Sequence, residues 1–136
     1  MTQAADVAVA FMHALWAGDM DAADALLTED ATWAFQLGMP QAEMREDRIW
    51  PARDAMRQIV FDLFGMFDPE GFVVQTSRVI ANGFDVAIEY DASGRTAHGF
   101  EYRNFYVTLL RIRDEKVCDV RPFNDTRHML RTLGVD

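Results

Sequence analysis

Two side chains in the C-terminal half of this chain could move protons. His98 follows Arg95-Thr96-Ala97 at the start of a long strand-like run. An imidazole titrates near neutral pH and can act as general acid or base. At a strand edge, a bulge can instead turn it toward solvent. Asp125 precedes Thr126-Arg127-His128-Met129. Its carboxylate could transfer a proton, or it could cap the helix that follows, because Asp is a favoured N-cap. Between the two lies GFEYRNFYVTLLRIRDEKVCDVRPFNDTRH, from Gly99 to His128. In a strand, Tyr102, Asn104, Tyr106 and Thr108 fall on one face. Asn104 and Tyr106 could orient a carbonyl or hydroxyl of a substrate. Equally, a buried Asn must be hydrogen-bonded, and Asn104 could tie the sheet to the loop at 38–50. His13 and His128 read as surface residues of the first and last helices.

Other chemistries find little support. The chain contains no His-x-x-x-His, no cysteine pair and no Asp-rich calcium loop, so no metal site is expected. It has no glycine-rich phosphate loop and no G-x-S-x-G elbow, and no cofactor is expected. Cys118 is the single cysteine, which excludes an internal disulfide and fits a cytoplasmic protein. A net charge of −9 argues against nucleic acid and anionic membranes as partners. The apolar runs fall short of the roughly 20 residues that span a bilayer. The N-terminus lacks a basic segment and reads as the start of a helix, not a signal peptide.

The elements that must position these residues follow from periodicity. With 136 residues, half of them hydrophobic, the chain fits one domain, 1–136, with one core. Residues 3–17 place Val7, Phe11, Ala14 and Leu15 at helical spacing, and Gly18 ends that helix. Asp19 can cap a second helix over 20–27. A strand is expected over 31–37, with Trp33, Phe35 and Leu37 on one face. Residues 38–51 read as an irregular loop, and 52–67 as a third helix bearing Ile59, Leu63 and Met66. Strands are expected over 72–81, 84–91, 98–112 and 116–124. Asn82-Gly83 signals a hairpin, and turns are expected at Asp91-Ala92-Ser93-Gly94 and at Arg113-Asp114-Glu115-Lys116. Helices followed by a meander make an α+β pattern. Trp33, Trp50, Met39, Met44 and Met66 could form an adaptable apolar mouth, although such stripes are usually core.

Several local patterns then resemble the ketosteroid isomerase-like, NTF2-like or SnoaL-like superfamily. Leu15-Trp16-Ala17-Gly18-Asp19 is similar to its L-N-A-G-D, and Leu27 to Trp33 to its L-x-x-D-A-x-W/V. Ala52-Arg53-Asp54-Ala55-Met56 is similar to G-R-x-A-I. Gly99 to Val107 resembles G-x-x-Y-x-N-x-Y-V, and Val117 to Asp125 resembles I-v-e-v-R-e-y-f-D. The resemblance implies a cone: a strongly curved, mostly antiparallel sheet wrapped around three helices, with a pocket at the open end.

It does not imply steroid isomerisation. The family's tyrosine, base and protonated aspartic acid, a worked example of tuned acidity, fall here on Phe11, Phe35 and Thr108. If Thr108 faces the pocket, so do Tyr106, Asn104, Tyr102 and His98. The resemblance also turns Phe84, Val86, Ile88, Tyr90, Val120, Pro122 and Asn124 inward, with Phe11, Leu15, Ile59 and Leu63 closing the other side. Cys118 then alternates out of the pocket. Apolar walls with sparse polar anchors suit a small apolar or amphipathic molecule. The implied chemistry is cofactor-free isomerisation, dehydration, cyclisation or hydrolysis, with His98 as acid–base. Asp125 is the second choice, since some SnoaL-like cyclases use an aspartate in this region. A non-catalytic binding or accessory module of the same fold is the alternative. Phe105, Val107, Leu109, Val79 and Phe123 on the outer face are expected to form a homodimer interface.

Overall fold

The computed structural model describes residues 2–45, 48–62, 64–67, 72–96 and 98–133. Helix α1 (Gln3–Trp16) starts where the Thr2 hydroxyl accepts from the Ala5 N–H. Its buried face carries Ala4, Ala8, Phe11, Met12 and Leu15. Gly18 takes φ +73°, a conformation that favours glycine, and reverses the chain. Helix α2 (Met20–Ala25) is capped by the Asp19 carboxylate, which accepts from the Ala22 N–H. It stops short of the expected Leu27 because the sheet takes over. The Val117 N–H donates to the Leu26 carbonyl at 2.7 Å, and Leu27 opens β1 (Leu27–Ala34). That strand ends three residues before Leu37, which is exposed.

The stretch expected to be irregular is partly ordered. A 3₁₀ turn spans Pro40–Glu43, and β2 (Ile49–Pro51) pairs antiparallel with β1, setting Trp50 opposite Trp33. Aromatic packing fixes it: Trp50 meets Phe35 edge-on at 5.5 Å, and its Nε1–H donates to the Gln41 carbonyl. Helix α3 (Ala52–Asp62) is shorter than expected and is followed by a 3₁₀ turn, Phe64–Met66. Leu63, expected to close the pocket, lies outside the described residues. Arg53 anchors α3 by donating to the carbonyls of Asp24, Leu27 and Thr28.

Four antiparallel strands follow: β3 (Val73–Asn82), β4 (Asp85–Arg95), β5 (Glu101–Arg113) and β6 (Lys116–Asn124). Helix α4 (Thr126–Leu133) closes the chain. The six-stranded sheet has the order β2-β1-β6-β5-β4-β3, and only β1 and β6 run parallel. It is curved and unclosed, and α1 packs against β3, β4, β5 and β6. Phe11, Val86, Ile88, Leu110, Val117 and Val120 form the seam between them.

Two turn expectations are corrected and a third holds. The β3–β4 hairpin loop is Gly83-Phe84, one residue later than Asn82-Gly83, because Asn82 pairs with Asp85. Phe84 therefore sits in the turn, 70% exposed, and not inward. Strand β4 continues through Asp91–Gly94, where a turn was expected, because those residues pair with Tyr102–Phe105 of β5. Gly94 is needed there: a Cβ would meet Phe67 Cδ1 at 3.0 Å and Phe72 Cδ2 at 3.1 Å. The β5–β6 turn is as expected, with Asp114 and Glu115 both at positive φ. A register shift between Thr76 and Arg78 also moves Val79 to the core side, opposite Ile88, and leaves Ile80 outward.

Candidate functional site

The cone holds a cavity of about 90 Å³, several times what one water molecule needs. Its walls come from α1, α3, α4 and five of the strands or the residues beside them. Leu15, Trp33, Phe35, Ile59, Tyr106, Thr108 and Asn124 line it, all expected at the site from the sequence. Met12, Trp16, Gln36, Met39, Phe72 and Val74 line it as well, as do Tyr90, Ala92, Pro122 and Met129. Strand parity already pointed Tyr90 and Pro122 inward. Met39 was expected in an apolar mouth; for Met12, Met129, Gln36 and Phe72 no sequence signal was available, since their placement depends on loops and on how helices dock.

Six other expected residues do not line the cavity. Phe11, Val86, Ile88 and Val120 are fully buried behind it, in the seam between α1 and the sheet. Asn104 is 2% exposed and fully employed in holding the chain. Its Nδ2 donates to the Asp125 carbonyl at 3.0 Å and its Oδ1 accepts from the Phe105 N–H at 2.9 Å. It thus ties β5 to the start of α4, not to the loop at 38–50. Tyr102 lies one layer out, with its hydroxyl 2.5 Å from that of Tyr106.

The two acid–base candidates also lie outside. β5 begins at Glu101, so His98 falls in the turn before it and is exposed. The Gly99 N–H closes that turn on the Thr96 carbonyl at 2.9 Å. Asp125 is the N-cap of α4, its Oδ1 accepting from the His128 N–H at 3.0 Å. His128, expected to be ordinary surface, is exposed but engaged. Its Nε2 lies 2.8 Å from the Arg103 carbonyl, which can only accept, so Nε2 carries the hydrogen. The ring stacks on Tyr102 with centroids 6.1 Å apart.

The polar groups of the cavity form two hydroxyl pairs. Tyr90 and Thr108 share a hydrogen bond of 2.9 Å, and Tyr106 is paired with Tyr102. The Tyr90 and Tyr106 rings stack in parallel at 5.0 Å. Burial pushes the Tyr90 phenol up to about 12, and hydrogen bonds from Thr108 and Trp16 oppose the rise. Burial also raises Tyr106 strongly, helped by its phenol neighbours Tyr102 and Tyr90. Tyr102 is raised by burial first, with hydrogen bonds to Tyr106 and Asn104 opposing and the Asp125 charge adding to the rise. All three phenols are therefore neutral at physiological pH. Gln36 and Asn124 serve structure. Gln36 Nε2 donates to the Asn124 carbonyl and the Thr126 hydroxyl, while its Oε1 accepts from the Asn124 N–H.

A pH dependence follows from the phenols. The folded state keeps protons that the unfolded chain releases near pH 10, so stability is full below that pH. It falls as pH rises from 10 toward 12. Tyrosinate absorbance should accordingly titrate at higher pH in the native protein than in denaturant, where the three phenols titrate together near 10. A native protein titrating near 10 would mean that the phenols are not buried.

Among the described residues, no group of three or more His, Cys, Asp or Glu could hold a metal ion. The Cys118 thiol is raised by burial, which leaves it a poor nucleophile. No helix among the described residues is long and apolar enough to cross a membrane.

Residues 8–120 match the family model of the SnoaL-like domain, so the chain belongs to that family. Its fold is NTF2-like. It is similar to TerC co-crystallised with polyporic acid, with TM-score 0.81 and 13% identity, covering 98% of this chain and 99% of that one. It is also similar to an NTF2-like protein from Burkholderia thailandensis, with TM-score 0.75, 17% identity and 98% of both chains covered. An LEH-like epoxide hydrolase of M. tuberculosis matches with TM-score 0.70 and 20% identity, covering 98% of this chain and 90% of that one. At these identities the likeness is one of fold. No curated protein sequence matches this chain.

Proposed function

We propose that this protein binds a small, mostly apolar molecule inside the cone and moves protons on it without a cofactor. The reaction is of the isomerisation, dehydration, cyclisation or hydrolysis type. The observation that carries this reading is the Tyr106–Tyr102 hydroxyl pair at 2.5 Å. Tyr106 borders the cavity, and Tyr102 sits beside the Asp125–His128 turn at the start of α4. The pair is a line of exchangeable protons leading from the apolar cavity toward an exposed carboxylate and imidazole. Tyr106 donates a hydrogen bond to an oxygen of the bound molecule, the proton lost from carbon passes to water, and Asp125 or His128 exchanges the hydroxyl proton at the outer end. His98 takes no part, being outside both the cavity and that line. A solved structure of similar fold contains polyporic acid and another is an epoxide hydrolase, which accords with small-molecule chemistry in such a cone.

Indanone, a compact apolar ring ketone, is a suitable probe. In deuterated buffer the protein should speed exchange of the hydrogens next to the carbonyl, and Tyr106→Phe should remove that effect while retaining binding. A specific observation favours a second reading: among the described residues, neither carboxylate nor imidazole lines the cavity directly. A plain binding protein would take up indanone and catalyse no exchange.

The outer face supports a homodimer. Phe105, Val107, Leu109 and Phe123 are exposed together on β5 and β6. The ion pairs Arg103–Asp91, Arg111–Asp85 and Arg121–Asp119 rim them, an apolar centre with a polar edge. Sedimentation should give twice 15.5 kDa, with Leu109→Glu shifting it to the monomer. A wild-type monomer would refute the dimer.

A further inference from the structure

Burying an N–H without a partner costs free energy, and native interiors rarely tolerate it. The indole Nε1–H of Trp33 is such a group: Trp33 is 2% exposed and its Nε1 has no hydrogen-bond partner. The other two tryptophans differ. Trp50 Nε1 donates to the Gln41 carbonyl at 3.2 Å, and the Trp16 side chain is hydrogen-bonded to Tyr90.

Trp33 borders the cavity, beside groups that already have partners. Tyr90 is paired with Thr108, Tyr106 with Tyr102, and both ends of the Gln36 amide are employed by Asn124 and Thr126. Phenylalanine at position 33 would supply apolar packing against Phe35, 6.1 Å away, without burying a donor. The indole is flanked by Phe35, just beyond the end of β1, and by the residues paired with Trp33 on β2 and β6, Trp50 and Val120.

We infer that Trp33 determines ligand specificity: its Nε1–H donates to an uncharged acceptor oxygen, of carbonyl or ether type, on an otherwise apolar molecule in the cavity. An anion is disfavoured, because among the described residues no cationic side chain lines the cavity to offset its desolvation. This rests on the cavity being the binding site, as proposed above. The chemistry asked of Trp33 is recognition only, with no proton transferred.

The test compares indanone with indane, the same ring frame without the oxygen, by following the three tryptophan indole N–H signals in the NMR spectrum. The Trp33 signal is assigned by its loss in Trp33→Phe. Indanone should move that signal downfield and leave that of Trp50 in place, and indane should bind roughly tenfold more weakly, the worth of one buried hydrogen bond. In Trp33→Phe the preference for indanone over indane should shrink about tenfold, to what the Tyr106 hydroxyl alone supplies. Binding of indanone with an unmoved Trp33 signal, or a preference undiminished in Trp33→Phe, overturns the inference and leaves the binding site standing. Failure of both probes to bind overturns the site and the inference together. If Trp33→Phe does not fold, the wild-type signals decide, with the assignment taken from backbone connectivity.

Discussion

Phe11→Ala should lower the free energy of unfolding by about 3–5 kcal/mol, and leave the affinity for indanone within a few-fold of wild type. Phe11 is 0% exposed on the buried face of α1 and does not line the cavity. Truncating it removes a ring from the seam where α1 meets the sheet, and the surrounding Val86, Ile88 and Val120 are held by strand pairing that resists collapse into the space. A loss of that size is a large fraction of a small domain's stability. Denaturant unfolding reads the first half of the prediction and a probe titration reads the second. A variant of near-normal stability that no longer binds would put Phe11 in the pocket wall.

Ala92→Trp should do the reverse. Ala92 is 3% exposed, lies on β4 between Tyr90 and Gly94, and borders the cavity. An indole built there occupies the space that a ligand needs. Affinity for indanone should fall by at least about a hundredfold, or about 2.7 kcal/mol, with catalysed exchange lost as well. Overpacking costs about 1–3 kcal/mol, so the variant should remain folded. Calorimetric titration with thermal unfolding on the same sample separates these effects. Undiminished binding would mean that the molecule is held elsewhere.

The fold was legible because its signals are local. Gly18-Asp19 marks a helix break and cap, and period-two alternation from Tyr102 to Thr108 marks a buried strand face. The lining of the candidate site was legible where it depends on helical spacing or strand parity: Leu15, Trp33, Phe35, Tyr106, Thr108 and Asn124 border the cavity. Errors arose where tertiary contacts override local pattern. Asp91-Ala92-Ser93-Gly94 has turn composition, but pairing with β5 keeps it extended. A bulge near Ser77 exchanges the faces of Val79 and Ile80, which no periodicity reveals. His98 has the chemistry of a catalyst, but its position depended on where β5 begins, and a shift of three residues left it in a turn. Asn104 was placed on the inner face, but its amide is fully occupied by the start of α4. Met12, Met39 and Met129 reach the cavity from two helices and a loop, and only their docking brings them together.

Those methionines give the most direct test of the central claim, that a small apolar molecule binds inside the cone. The chain has eight methionines, and their methyl groups give separate NMR signals. Adding indanone should move the signals of Met12, Met39 and Met129, which line the cavity, and leave that of Met44, which is 60% exposed, in place. A response confined to Met44, or no response from the three cavity methionines at saturating indanone, would contradict it.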